Sequence, residues 1–87
     1  MTSSARPSTS EPTTLGGWLR LWRERKGLTQ AQVASRLGVM QTTISFWETD
    51  RHGIKTASLR VLAEMYGVRS EELGDALLSV APQQAAA

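Results

Sequence analysis

Eighty-seven residues without cysteine allow one small domain and exclude disulfide and thiolate chemistry. The ends, "MTSSARPSTSEPTT" and "SVAPQQAAA", have little to bury, so Leu15 to Leu78 must hold the core, and a fold of that size has no deep, walled active site. The formal charge of +2 is unevenly placed: Leu15 to Arg60 carries eight basic against three acidic side chains, and Val61 to Leu78 one against four, so the first part suits a polyanion and the second does not.

Residues 1–14 are Ser/Thr/Pro-rich, contain no apolar run of signal-peptide length, and are expected to form a disordered tail. The first helix, "LGGWLRLWRERKG", places Leu15, Trp18, Leu19 and Trp22 at the spacing of one helical face, and Gly27 stops it where Arg25 and Lys26 suit its negative end. Leu21 widens this stripe, so Trp18 and Leu21 either pack under the C-terminal helix or form a patch for a second subunit or another protein. Gly16 and Gly17 are no phosphate loop, since no strand precedes them and no Lys-Ser/Thr follows.

The second helix, "LTQAQVASRLG", opens with Thr29 as cap and Gln32 three residues on, the capping-box arrangement, and ends at Gly38. A third runs from about Gln41 to Glu48. Met40, Ile44 and Trp47 gather on one side of it, and Gln41, Thr42, Ser45 and Phe46 on the other, which carries no charge. After the polar turn "TDRHGIK", "TASLRVLAEMYG" packs Leu59, Leu62, Ala63 and Tyr66 on one face and closes at Gly67. "VRSEELGDALL" opens with Ser70 as cap and two glutamates in the first turn, where the helix dipole favours them. Residues 79–87 are expected to form a second disordered tail. With no strand pattern and no span near the roughly 20 apolar residues of a membrane helix, the expectation is an all-α, soluble, cytoplasmic protein.

At the joint between the second and third helices, Val33, Leu37, Val39, Ile44 and Trp47 are apolar anchors. Ala34 is small where the two helices cross, and Gly38 supplies the left-handed turn residue. The short turn sets the third helix across the second with Gln41, Thr42, Ser45 and Phe46 projecting, the layout of a helix-turn-helix.

On these residues, "LGGWLRLWRERKGLTQ", Ala34, Gly38, "TISFWE", "LRVLAEMYGV" and "SEEL", the sequence resembles the Xre-like family of the Cro and lambda-repressor type over nearly all of residues 15–78. The resemblance implies a five-helix lambda-repressor-like DNA-binding domain: a sequence-specific regulator of transcription that inserts Gln41 to Glu48 into the major groove of double-stranded DNA. Gln41, Thr42, Ser45 and Phe46 then face the bases. A Gln amide suits adenine, Ser and Thr serve either kind of edge, and an aromatic ring meets the thymine methyl.

Phosphate contacts are implied for Thr29 and Gln30, at a positive helix end, for Arg51 and Lys55, and more weakly for Thr43 and Arg36. Arg36 and Arg60 otherwise read as solvated surface. The resemblance also implies a structural salt bridge between Arg23 and Glu48, binding as a homodimer across an inverted repeat, and a cytoplasmic, nucleoid-associated location. Two positions depart from the family pattern. Met40 stands where Ser or Thr often caps the third helix and is expected to plug the core, and Thr49-Asp50 replaces the usual Asn-Gly, with Asp less suited than Gly to the left-handed region.

His52 is the sole histidine and lies in a turn, and no carboxylate pair has metal-ligand spacing. Neither a metal, a cofactor nor catalysis is expected. The alternative to a DNA-binding regulator is an adaptor or antitoxin-like module of the same fold, contacting a protein through Trp18, Leu21 and Phe46.

Overall fold

Five helices follow one another in the computed structural model, which describes residues 12–80: α1 (Leu15–Arg25), α2 (Gln30–Leu37), α3 (Gln41–Glu48), α4 (Thr56–Met65) and α5 (Ser70–Ser79). The expected tails fall mostly outside the described residues. Among the described residues of these ends, Thr14 is the N-cap of α1, its hydroxyl accepting from the Gly17 N–H at 3.1 Å, and Ser79 is the last residue of α5.

The apolar spacing becomes one core. Leu19 and Trp22 of α1, Val33 and Ala34 of α2, Ile44 of α3, and Leu59, Leu62 and Ala63 of α4 are buried together with Tyr66, Val68 and Ala76. The Leu, Ile and Val side chains among them each contribute about 1.5–3 kcal/mol on burial. Leu37 and Trp47 pack on the edge of this cluster, as does Trp18, whose ring centroid lies 5.7 Å from that of Trp22. Helix α3 lies against both α1 and α2, and α1 touches α5, where Arg25 Nη2 meets Glu72 Oε2 at 2.8 Å.

The caps explain where the helices start and turn. Thr29 and Gln32 form the reciprocal box, Gln32 N–H to Thr29 Oγ1 at 3.0 Å and Thr29 N–H to Gln32 Oε1 at 2.8 Å. At the other end of α2, Gly38 adopts φ 73°, and the Val39 N–H returns to the Ala34 carbonyl at 3.0 Å. This left-handed closure swings α3 across α2.

Three expectations are corrected here. Met40 does not plug the core. It is 72% exposed, because it is the extended N-cap residue of α3 and the helical periodicity that groups it with Ile44 does not reach it. Val39 is likewise no anchor, at 37% exposure, since the left-handed turn uses its main chain rather than its side chain. Ser70 is the first residue of α5 instead of its cap; Arg69 holds the cap position without a side-chain hydrogen bond.

Candidate nucleic-acid interface

Beneath the exposed face of α3 lies a buried polar brace. Arg23 Nε donates to Glu48 Oε2 at 2.6 Å and Arg23 Nη2 to Glu48 Oε1 at 3.0 Å, while Nη1 reaches the Leu28 carbonyl at 2.7 Å. Both residues are 8% exposed. The hydrogen bond to Glu48 holds the Arg23 pKa above its ordinary value, so the guanidinium stays charged and the pair is a fixed link between α1 and α3. From Glu48 the network continues outward. Gln30 Nε2 donates to Glu48 Oε1 at 3.0 Å, and Gln41 Nε2 approaches Gln30 Oε1 at 3.4 Å. The first residue of α3 is thus joined, through the first residue of α2, to the buried ion pair.

Gln41 and Thr42 are exposed, and Thr43 and Ser45 are half-buried. The Ser45 carbonyl accepts from Thr49 Oγ1 at 2.8 Å, which closes the helix end. Phe46 is half-buried as well. His52 meets its ring edge-on with centroids 4.8 Å apart, and the Arg51 guanidinium carbon sits 5.7 Å from its centroid. The ring is therefore covered by the turn that follows α3, and it stands outside the cluster that forms the core.

Of the residues expected to meet phosphate, Arg51 and Lys55 are exposed in the segment after α3, Lys55 as the N-cap of α4. Arg36 lies exposed in the last turn of α2. The Thr29 N–H is occupied by Gln32, so the N–H groups of Gln30 and Ala31 are the remaining donors of that helix end. Trp18 packs on the core edge and Leu21 is 37% exposed beside it. Among the described residues no group of His, Asp and Glu could hold a metal ion, and no helix is long and apolar enough to cross a membrane.

The residue that sequence reasoning undervalued is Asp50. It takes the left-handed conformation, φ 62°, and points its carboxylate at the start of α1. Oδ1 accepts from the Gly16 N–H at 2.9 Å and Oδ2 from Thr14 Oγ1 at 2.7 Å. A carboxylate on those free donors complements the positive helix end. Gly16 makes the approach possible: a Cβ there would stand 2.7 Å from both the Glu48 carbonyl oxygen and Asp50 Oδ1. The apparent departure at Thr49-Asp50 is thus a lock between the end of α3 and the start of α1. A Thr cap followed by two glycines was the available signal for such a close approach.

No curated protein matches the chain. Residues 14–77 match the family model described as a helix-turn-helix domain. That span contains all of α1 to α4 and nearly all of α5, and the crossing of α2 and α3 at Gly38 is the feature from which such domains take their name: the chain belongs to the helix-turn-helix domain family.

Proposed function

We propose that this protein is a sequence-specific, double-stranded DNA-binding regulator of transcription that lays α3 in the major groove. The supporting observation is the character of that helix's outer face. Gln41 and Thr42 are exposed, Ser45 is partly so, and the face bears no charge, whereas cations flank it at Arg51 and Lys55. Uncharged amide and hydroxyl groups hydrogen-bond to base edges, and flanking cations with a helix N-terminus hold phosphates.

In this arrangement Gln41, Thr42 and Ser45 face the bases. Gln30, Thr43, Arg51 and Lys55 contact the backbone, with Thr29 contributing by capping α2. Gln30 also braces Gln41, so that phosphate position and base contact are set together. Two subunits bind an inverted repeat with half-sites about one helical turn apart.

A titration series with two variants tests the division of labour. Gln41→Ala is expected to cost about 1–3 kcal/mol on the preferred site and little on scrambled duplex. Arg51→Ala is expected to weaken both duplexes alike and to reduce the salt slope by about one. A Gln41→Ala protein with unchanged site preference would show that α3 docks differently.

A further inference from the structure

Phe46 is the one large apolar side chain on the outer face of α3, and its surroundings differ from those of its neighbours Gln41 and Thr42. Two side chains from the following turn cover the ring: His52 edge-on at 4.8 Å between centroids, and Arg51 with its guanidinium carbon 5.7 Å from the ring centre. Both distances lie within the ranges for aromatic pairing and for cation–π attraction. The main chain repeats the link, since the Phe46 carbonyl accepts from the Arg51 N–H at 2.9 Å and the His52 N–H at 3.4 Å. The other side of this turn is anchored by Asp50 on Gly16 and Thr14. The turn is thus held at both sides, and Arg51 projects from between the two anchors.

We propose that Phe46 is a positioning residue: its ring, packed against His52 in a T-shaped pair, holds the Arg51 guanidinium in the place where Arg51 meets the DNA backbone, and it does not itself distinguish bases. The assignment rests on the DNA-binding role proposed above. An arginine on a bare turn would lose side-chain freedom at the moment of binding. One already stacked on a ring has lost part of it in the free protein, so less is lost on contact with phosphate. A ring packed against both side chains has correspondingly little surface left to offer a thymine methyl.

The test uses the full chain carrying Phe46→Leu, Phe46→Tyr, Arg51→Ala or Phe46→Leu with Arg51→Ala, titrated against a selected duplex and a scrambled one over a range of salt. Phe46→Leu keeps apolar bulk and removes the π face. It is expected to weaken both duplexes by the same factor, about 2- to 5-fold, the size of an exposed cation–π contact, and to move the salt slope toward that of Arg51→Ala. The double variant should bind no worse than Arg51→Ala alone, and Phe46→Tyr should bind like the parent. Proton NMR of the free protein supplies a readout that needs no DNA: ring-current shifts on Arg51 and His52 side chains, retained in Phe46→Tyr and lost in Phe46→Leu.

Altered preference at one base with an unchanged salt slope would overturn the assignment and make Phe46 a base-contacting residue. Additive losses in the double variant, or absence of the ring-current shifts from the parent protein, would overturn it too. A parent protein that binds neither duplex would instead overturn the DNA-binding role beneath it, whatever the NMR shows. Should Phe46→Leu fail to fold, Arg51→Lys keeps the charge without the planar stack. It is expected to weaken both duplexes equally, and parent-like binding would overturn the proposal.

Discussion

Arg23 and Glu48 are each nearly withdrawn from solvent, so the cost of stripping water from two charges offsets much of their attraction. What the pair supplies is a constraint, because either partner alone would be a buried charge without compensation. Arg23→Met or Glu48→Leu alone is expected to cost about 3–5 kcal/mol, and the double change to recover much of that loss; thermal melting of the cycle measures the coupling, and additive losses would remove the pair from this role. Tyr66 supplies a second test. Burial pushes its phenol up to about 12 from 10.0, so the folded state keeps the proton longer than the unfolded chain. That contribution is complete below pH 10 and is lost as pH rises toward 12. The hydroxyl has no hydrogen-bond partner among the described residues. Tyr66→Phe is therefore expected to match or exceed the parent's stability at neutral pH and to melt later between pH 10 and 12; earlier alkaline melting would contradict this. At this scale, charges beside apolar stripes make Arg23 and Glu48 visible in the sequence. Asp50 and Gly16 stand 34 residues apart, so the glycines after Thr14 mark a close approach without identifying Asp50 as the group that makes it.

Helix identity follows from spacing, and helix ends follow from the chemistry of single residues. Thr29 with Gln32 and the left-handed Gly38 mark the limits of α2 in the sequence itself, because each solves a local hydrogen-bonding problem within a few residues. Met40 shows where that logic stops. Its apolar character suggests burial, yet it occupies the extended cap position with φ −82° and ψ 151°, and no side chain satisfies the first N–H groups of α3. Since Met40 is mostly exposed, replacing it removes little packing. Met40→Ser is expected to stabilise the protein by about 0.5–2 kcal/mol, raising the melting temperature by roughly 4–8 °C per kcal/mol in a domain of this size. A fall in melting temperature would mean that Met40 packs in a way its exposure does not suggest. The outer face of α3 was legible as uncharged, but the covering of Phe46 was not, because it depends on how a six-residue-distant histidine returns over the helix end.

For the molecule as a whole, the basic and acidic halves of the sequence fall on different elements. The cations Arg51 and Lys55 follow α3, while Glu71, Glu72 and Asp75 lie on α5. On the proposed reading, the cations after α3 attract a polyanion and the carboxylates of α5 repel it, which orients the protein before any base is touched. Beneath that surface, the Arg23–Glu48 pair, the Gln30–Gln41 contact and the Asp50 lock tie α1, α2 and α3 into one unit. A rigid unit of this kind presents its polar face with little freedom left to lose on binding. Whether this face recognises sequence can be read from the enrichment of bound duplexes out of random double-stranded DNA. The expected result is a motif of two inverted half-sites spaced by about one helical turn, with the Gln41→Ala protein losing preference within each half-site. Recovery of duplexes with no common motif, or of an identical motif by the parent and by Gln41→Ala, would contradict sequence recognition by this face.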